Sequence, residues 1–132
     1  MTVIEIVSFG YLHGAPPEGA HLTLDLRRHF RDPHVNPALR EMNAFDEEVR
    51  EAVLSTPGIA ALVAATVRAV LAFHAGPVDA PVRIAVGCAG GRHRAPTFAG
   101  AVAEHLFAIG YNTRMSHRDL AKPVVQREAV AC

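Results

Sequence analysis

The sequence predicts a single three-layer α/β domain whose sheet is mixed and partly parallel. Three observations predict it. Residues 82–86 are an apolar run followed by a glycine-rich turn, a helical pattern stopped by Gly110, and a second strand-like run at 111–117. Strand, loop, helix and strand in so short a span form a βαβ unit, which requires parallel pairing. Residues 3–9 form another apolar run ending at Gly10, and residues 59–73 form a fifteen-residue apolar stretch suited to a helix lying on a sheet. The length of 132 residues fits one domain, spanning 1–132.

The elements follow in order. Residues 3–9 read as a buried strand, and residues 10–19, with three glycines and Pro16-Pro17, read as a loop. Residues 21–26 alternate, with Leu22, Leu24 and Leu26 on one side and Thr23 and Asp25 on the other, the period of a strand that ends by presenting Asp25 and Arg27. Residues 28–43 read as irregular, broken by Pro33 and Pro37. Asp46 before Glu47 and Glu48 predicts an N-cap with acids in the first turn of a helix reaching Leu54. Thr56-Pro57 repeats that signal for a helix reaching His74 with Gly76 beyond it. This second helix is so apolar that most of its circumference is expected to be covered, as core or as an interface between copies, so a homo-oligomer stays open. Residues 82–86 give a third strand, 87–94 a loop, 95–109 a helix and 111–117 a fourth strand.

Thirteen Lys and Arg balance thirteen Asp and Glu, so there is no overall attraction to nucleic acid or anionic membrane. Basic residues are concentrated from residue 81 onward, seven against three acids. Glu5 interrupts the N-terminal apolar run and Arg68 the longest one, which excludes a signal peptide and a membrane span by pattern and predicts a soluble, cytoplasmic domain. The two cysteines, Cys88 and Cys132, build no disulfide framework. Eight histidines occur without the spacings of a metal site, so no metal or cofactor is expected.

The chemistry gathers in Cys88-Ala89-Gly90-Gly91-Arg92-His93-Arg94, between an apolar strand and a helix start. Glycines let backbone N–H groups converge there, the helix dipole adds partial positive charge, and Arg92 and Arg94 add formal charge. Each feature favours an oxyanion, above all a phosphate. No Gly-Lys-Ser/Thr ends the loop, so nucleotide hydrolysis gains no support. Cys88 and Arg94 have the Cys-x5-Arg spacing of cysteine phosphatases, in which a thiolate attacks phosphorus. The loop departs from that signature at Gly87 and Ala95, and the preferred reading leaves Cys88 non-catalytic. Asp25 and Asp119 are the carboxylates available as a general acid in the phosphatase alternative.

Several separated segments carry a resemblance over nearly the whole chain. They are Ser8-Phe9-Gly10-Tyr11-Leu12-His13-Gly14, Asp25-Leu26-Arg27, Asp32-Pro33-His34, Arg40 through Asp46, Ile84 through Arg94, and His117-Arg118-Asp119-Leu120. In this order and spacing they resemble the C-terminal domain of the RapZ family of RNase adapters. The resemblance implies a partner domain of P-loop type in full-length members, and a C-terminal half that binds glucosamine-6-phosphate and small RNAs presented to RNase E. Nucleotide activity is not carried over, since these residues match only the second half. The resemblance implies a phosphate on Cys88 to Arg94, with Ala89 where the family commonly has Thr and Arg92 where Lys also occurs. It implies Asp25, Arg27, His34 and His117 on the sugar side, with His13 a similar case. The reading is a non-catalytic sensor of a small phosphorylated metabolite. RNA binding through residues such as Arg28, Arg31, Arg114, Arg118, Lys122 and Arg127 enters by resemblance alone.

Overall fold

The computed structural model describes residues 3–125, so Arg127 and Cys132 lie outside the described residues. Four strands occur among them: β1 (Ile4–Gly10), β2 (Leu22–Asp25), β3 (Val82–Cys88) and β4 (Thr113–His117). The helices are α1 (Pro37–Arg40), α2 (Glu47–Leu54), α3 (Ile59–His74) and α4 (Arg94–Ala108), with single 3-10 turns at Tyr11–His13 and Pro33–Val35. The strand order is β2-β3-β1-β4. All three pairings are parallel, where the sequence suggested a mixed, partly parallel sheet. The extra parallel pair arises because the β1–β2 connection crosses β3 without an α-helix, using only the 3-10 turn and a loop.

The α/β reading holds, with one thick and one thin cover on the sheet. On one face Phe98, Val102 and Leu106 of α4 and Ile59, Val63, Val67 and Val70 of α3 pack onto Ile4, Ile6, Val82, Ile84 and Val86. Each such side chain contributes roughly 1.5–3 kcal/mol when fully buried, so this face holds the domain together. The β1–β2 connection covers the other face near the strand ends, where the Phe9 and Tyr11 rings meet edge-on at 4.8 Å.

Four local expectations are corrected. β3 continues through Gly87 and Cys88, because these residues pair with Phe9 and Gly10 instead of leaving the sheet. α3 starts at Ile59, with Gly58 as its N-cap at φ 92°. Thr56 does not cap it; its hydroxyl donates to the Ala52 carbonyl at 2.8 Å and closes α2. The prolines at 33 and 37 begin short helical turns instead of breaking structure, with Asp32 and Asn36 accepting from the His34 and Ala38 amides at 2.9 and 3.0 Å. α3 is buried on one stripe only, while Ala60, Ala61, Arg68, Ala72 and Phe73 are exposed. Its outer alanines look apolar by composition yet cost little in water, so counting apolar residues overstated its cover. No single described helix is long and apolar enough to cross a membrane.

Candidate functional site

β1 and β3 end side by side, Gly10 against Cys88, and residues 89–93 turn over that end before α4 begins. The turn needs bare backbone. A Cβ on Gly10 would stand 2.4 Å from the Gly90 carbonyl carbon, and one on Gly91, at φ 75°, would stand 2.8 Å from the Gly10 nitrogen. Among the described residues, nothing accepts a hydrogen bond from the amides of Gly90, Gly91, Arg92 and His93. Gly91 and His93 are buried, and buried amides normally find a partner. This loop therefore offers free N–H donors beside the positive end of α4.

Its charged side chains are committed elsewhere. Arg94 is 2% exposed. One guanidinium nitrogen donates to the Leu26, Arg27 and Phe30 carbonyls at 3.0, 3.0 and 3.3 Å. The other lies 3.2 Å from Asp32. Arg92 donates to the carbonyls of Glu41 at 2.6 Å and Lys122 at 3.1 Å. His93 Nε2 meets the Leu39 and Met42 carbonyls at 3.0 and 2.8 Å. Two carbonyls can only accept, so Nε2 carries the proton. Burial lowers the His93 pKa, and a neutral ring fits this role. Residues 92–94 thus clamp segments 26–32 and 39–42 around the strand ends.

Cys88 points the other way. Its sulfur accepts from the Ala95 amide at 3.4 Å, and the residue is 2% exposed within the core. A thiolate nucleophile must reach its substrate, and this one faces the aliphatic side of the sheet.

Asp119 braces the loop from the β4 side. It is fully buried, accepts from the Gly10 amide at 2.7 Å, and lies 2.9 Å from Arg118 and 2.7 Å from Lys122. Burial pushes its pKa up, but hydrogen bonds from Arg118, Lys122 and the Gly10 amide outweigh burial and hold it at about 2. Asp25 is likewise held below the usual carboxylate range, chiefly by its hydrogen bond from Arg27. Neither carboxylate holds a proton to give as a general acid near neutral pH.

Of the sugar-side residues, His117 stands apart from the other three. Asp25 and Arg27 form an exposed ion pair at 2.7 Å, and the Arg27 guanidinium lies 3.6 Å from the Tyr11 ring centre. His34 sits in the 3-10 turn that Arg94 and Asp32 organise, with its carbonyl accepting from Arg40 at 3.0 Å. His117 ends β4, on the opposite edge of the sheet from Asp25, three strand spacings or about 14 Å away. It also faces the helix-covered side, where Nδ1 meets the Ser8 hydroxyl at 2.7 Å. Burial lowers its pKa. His13 lies in the 3-10 turn after β1. A separate cavity of about 420 Å³ opens on the other sheet face among Glu5, Arg83 and Arg114, away from the loop.

A family model described as the RapZ C-terminal domain matches residues 2–121. The chain belongs to this family. Relatives of the RapZ C-terminal domain family include a "Nucleotide-binding protein" of Sphingopyxis alaskensis, 36% identical over 121 residues, which are 89% of this chain and 38% of that protein. Another, from Trichlorobacter lovleyi with the same name, is 34% identical over 122 residues, 90% of this chain and 42% of its own length. The chain spans about two fifths of these relatives. Sequence reasoning missed the carbonyl clamps of Arg92, His93 and Arg94, which depend on chain segments distant in sequence, from Lys122, 30 residues beyond Arg92, to Leu26, 68 residues before Arg94. It named Asp119 without its role; Arg118 and Lys122, at i−1 and i+3, were the available signal.

Proposed function

We propose that this domain binds a small phosphorylated metabolite without turning it over, the phosphate on the loop from Cys88 to His93 and the rest of the ligand on the β2 side. The free amides of Gly90 to His93 at the head of α4 carry this reading. Arg92 and Arg94 support it by shaping the loop and adding nearby positive charge, since their donors already serve carbonyls. Asp25, Arg27 and His34 face the ligand body, and an amino sugar such as glucosamine-6-phosphate suits the carboxylate of Asp25 with its ammonium. His117 is left out of this pocket. The buried thiol of Cys88 argues against the phosphatase alternative. The nucleotide-binding name of these relatives makes nucleotides the natural competitor ligand, although this loop lacks the lysine and hydroxyl of a P-loop.

Calorimetric titration with glucosamine-6-phosphate, inorganic phosphate, glucosamine and ATP tests the proposal. The sugar phosphate should bind best. Gly91→Ala should abolish binding by pressing a methyl onto Gly10, with the unfolding transition checked to confirm that the variant folds. Arg27→Ala should keep phosphate binding and lose the preference for the sugar. Absence of binding to the wild type, tighter binding of ATP, or unchanged binding in folded Gly91→Ala would overturn it.

A further inference from the structure

His117, excluded from the phosphate pocket, instead lines a cleft of about 390 Å³ between α2, α4 and the end of β4. The volume lies within the usual range for small-molecule sites. Gly100 opens its floor, since a Cβ there would meet nothing within 4 Å. Its walls are apolar, and three of them are large side chains left uncovered: Phe45 at 71%, Leu54 at 43% and Met115 at 43% exposure. The Phe45 ring stands edge-on to His117 at 6.4 Å.

Three polar groups open into the same space and a fourth, the Thr97 hydroxyl, lies within its wall. Thr97 is 5% exposed, and its hydroxyl is buried without a hydrogen-bond partner. Such a group normally has a partner, so the hydroxyl is an unanswered donor and acceptor. His117 spends Nδ1 on Ser8, which leaves Nε2 toward the cleft. Arg50 on α2 and Glu104 on α4 bring opposite charges to the two helical walls. Arg50 gives one donor to the Ala44 carbonyl at 3.0 Å, and neither residue forms an ion pair with a described residue. A ligand bearing both charges answers both walls, and apolar walls call for an apolar body between them.

We propose that this cleft binds a free α-amino acid with an aromatic or aliphatic side chain, a site distinct from the phosphate loop. The carboxylate pairs with Arg50 and, with the Thr97 side chain turned toward it, takes a hydrogen bond from that hydroxyl. The ammonium pairs with Glu104. The side chain lies over Gly100 among Phe45, Leu54 and Met115.

The probe is L-phenylalanine, followed by calorimetry and by ligand-observed NMR. N-acetyl-L-phenylalanine, lacking the ammonium, and phenethylamine, lacking the carboxylate, serve as controls. L-phenylalanine should bind saturably, and both controls should bind about tenfold more weakly, the value of one charged hydrogen bond. Arg50→Gln and Glu104→Gln should each cost a similar factor, and Thr97→Val a smaller one. Gly100→Leu should fill the floor and abolish binding while leaving glucosamine-6-phosphate titration and the unfolding transition unchanged. No saturable binding of L-phenylalanine, equal binding of either control, or binding that survives Gly100→Leu would overturn the proposal. None of these outcomes bears on the phosphate loop, which is titrated separately.

Discussion

Asp119 shows how a single carboxylate can hold a glycine loop without touching a ligand. Its oxygen accepts from the Gly10 amide, and Gly10 is the residue against which Gly90 and Gly91 pack. Arg118 and Lys122 keep it ionised, and Arg118 also donates to the Ala15 carbonyl at 2.6 Å, so the same cation ties the β1–β2 connection. A carboxylate with pKa about 2 in the folded chain, against 3.8 ordinarily, stabilises the fold above pH 3.8. That contribution, roughly 2 kcal/mol, is lost as pH falls from the ordinary value through the folded one. Denaturant unfolding at a series of pH values should therefore show a decline across this window. Asp119→Asn should be less stable at neutral pH and show a shallower decline; an unchanged profile would remove this assignment. Ser8 and His117 form the neighbouring pair, and burial keeps that imidazole neutral over more of the pH range.

At the scale of elements, the glycine loop is a hub that ties irregular segments to the strand ends. Three consecutive side chains, Arg92, His93 and Arg94, hold carbonyls from the segments after β2 and after α1. Those segments have little regular structure of their own, so their backbone acceptors need partners supplied from elsewhere. Arg94→Ala would leave Asp32 without its buried guanidinium and three carbonyls without a donor, an expected loss of about 3–5 kcal/mol. Hydrogen exchange should then accelerate first in residues 26–40, ahead of β1 and β3. Uniform acceleration across the sheet would contradict the clamp. The sequence pattern assigned Arg94 to the ligand because a basic residue beside a glycine turn suits an anion; which acceptors it meets depends on where residues 26–32 come to lie.

For the whole molecule, the order β2-β3-β1-β4 places β1 and β3 at the centre and leaves β2 and β4 at the edges. The two central strands end together, so the glycine loop stands on the best supported part of the sheet, while the β2 and β4 ends carry separate side-chain groups. Cys88 lies at that junction with its sulfur turned into the core. Its alkylation by iodoacetamide, followed at the Cys88 peptide by mass spectrometry, should be negligible in the native chain and rise in step with unfolding by denaturant. Rapid native labelling would contradict the burial and return the phosphatase reading to consideration.

Periodicity and punctuation alone determined most of the elements. Alternation at Leu22 and Leu24, the apolar runs of β1 and β3, and the glycine stops at 76 and 110 are local signals, and local chemistry decides them. The glycine loop was legible for the same reason, as strand, glycines, basic residues and helix start lie within a dozen consecutive residues. Family membership followed from the order of several such segments. Only the tertiary structure decided that every strand pairing is parallel, that α3 begins after a left-handed Gly58, and that the cations of the loop serve carbonyls. It alone separated His117 from Asp25, which the family resemblance had grouped on one side of the ligand. The reason is physical: a side chain's acceptors and the face it occupies are set by segments distant in sequence, and hydrogen bonds between such segments exist only once the chain is folded.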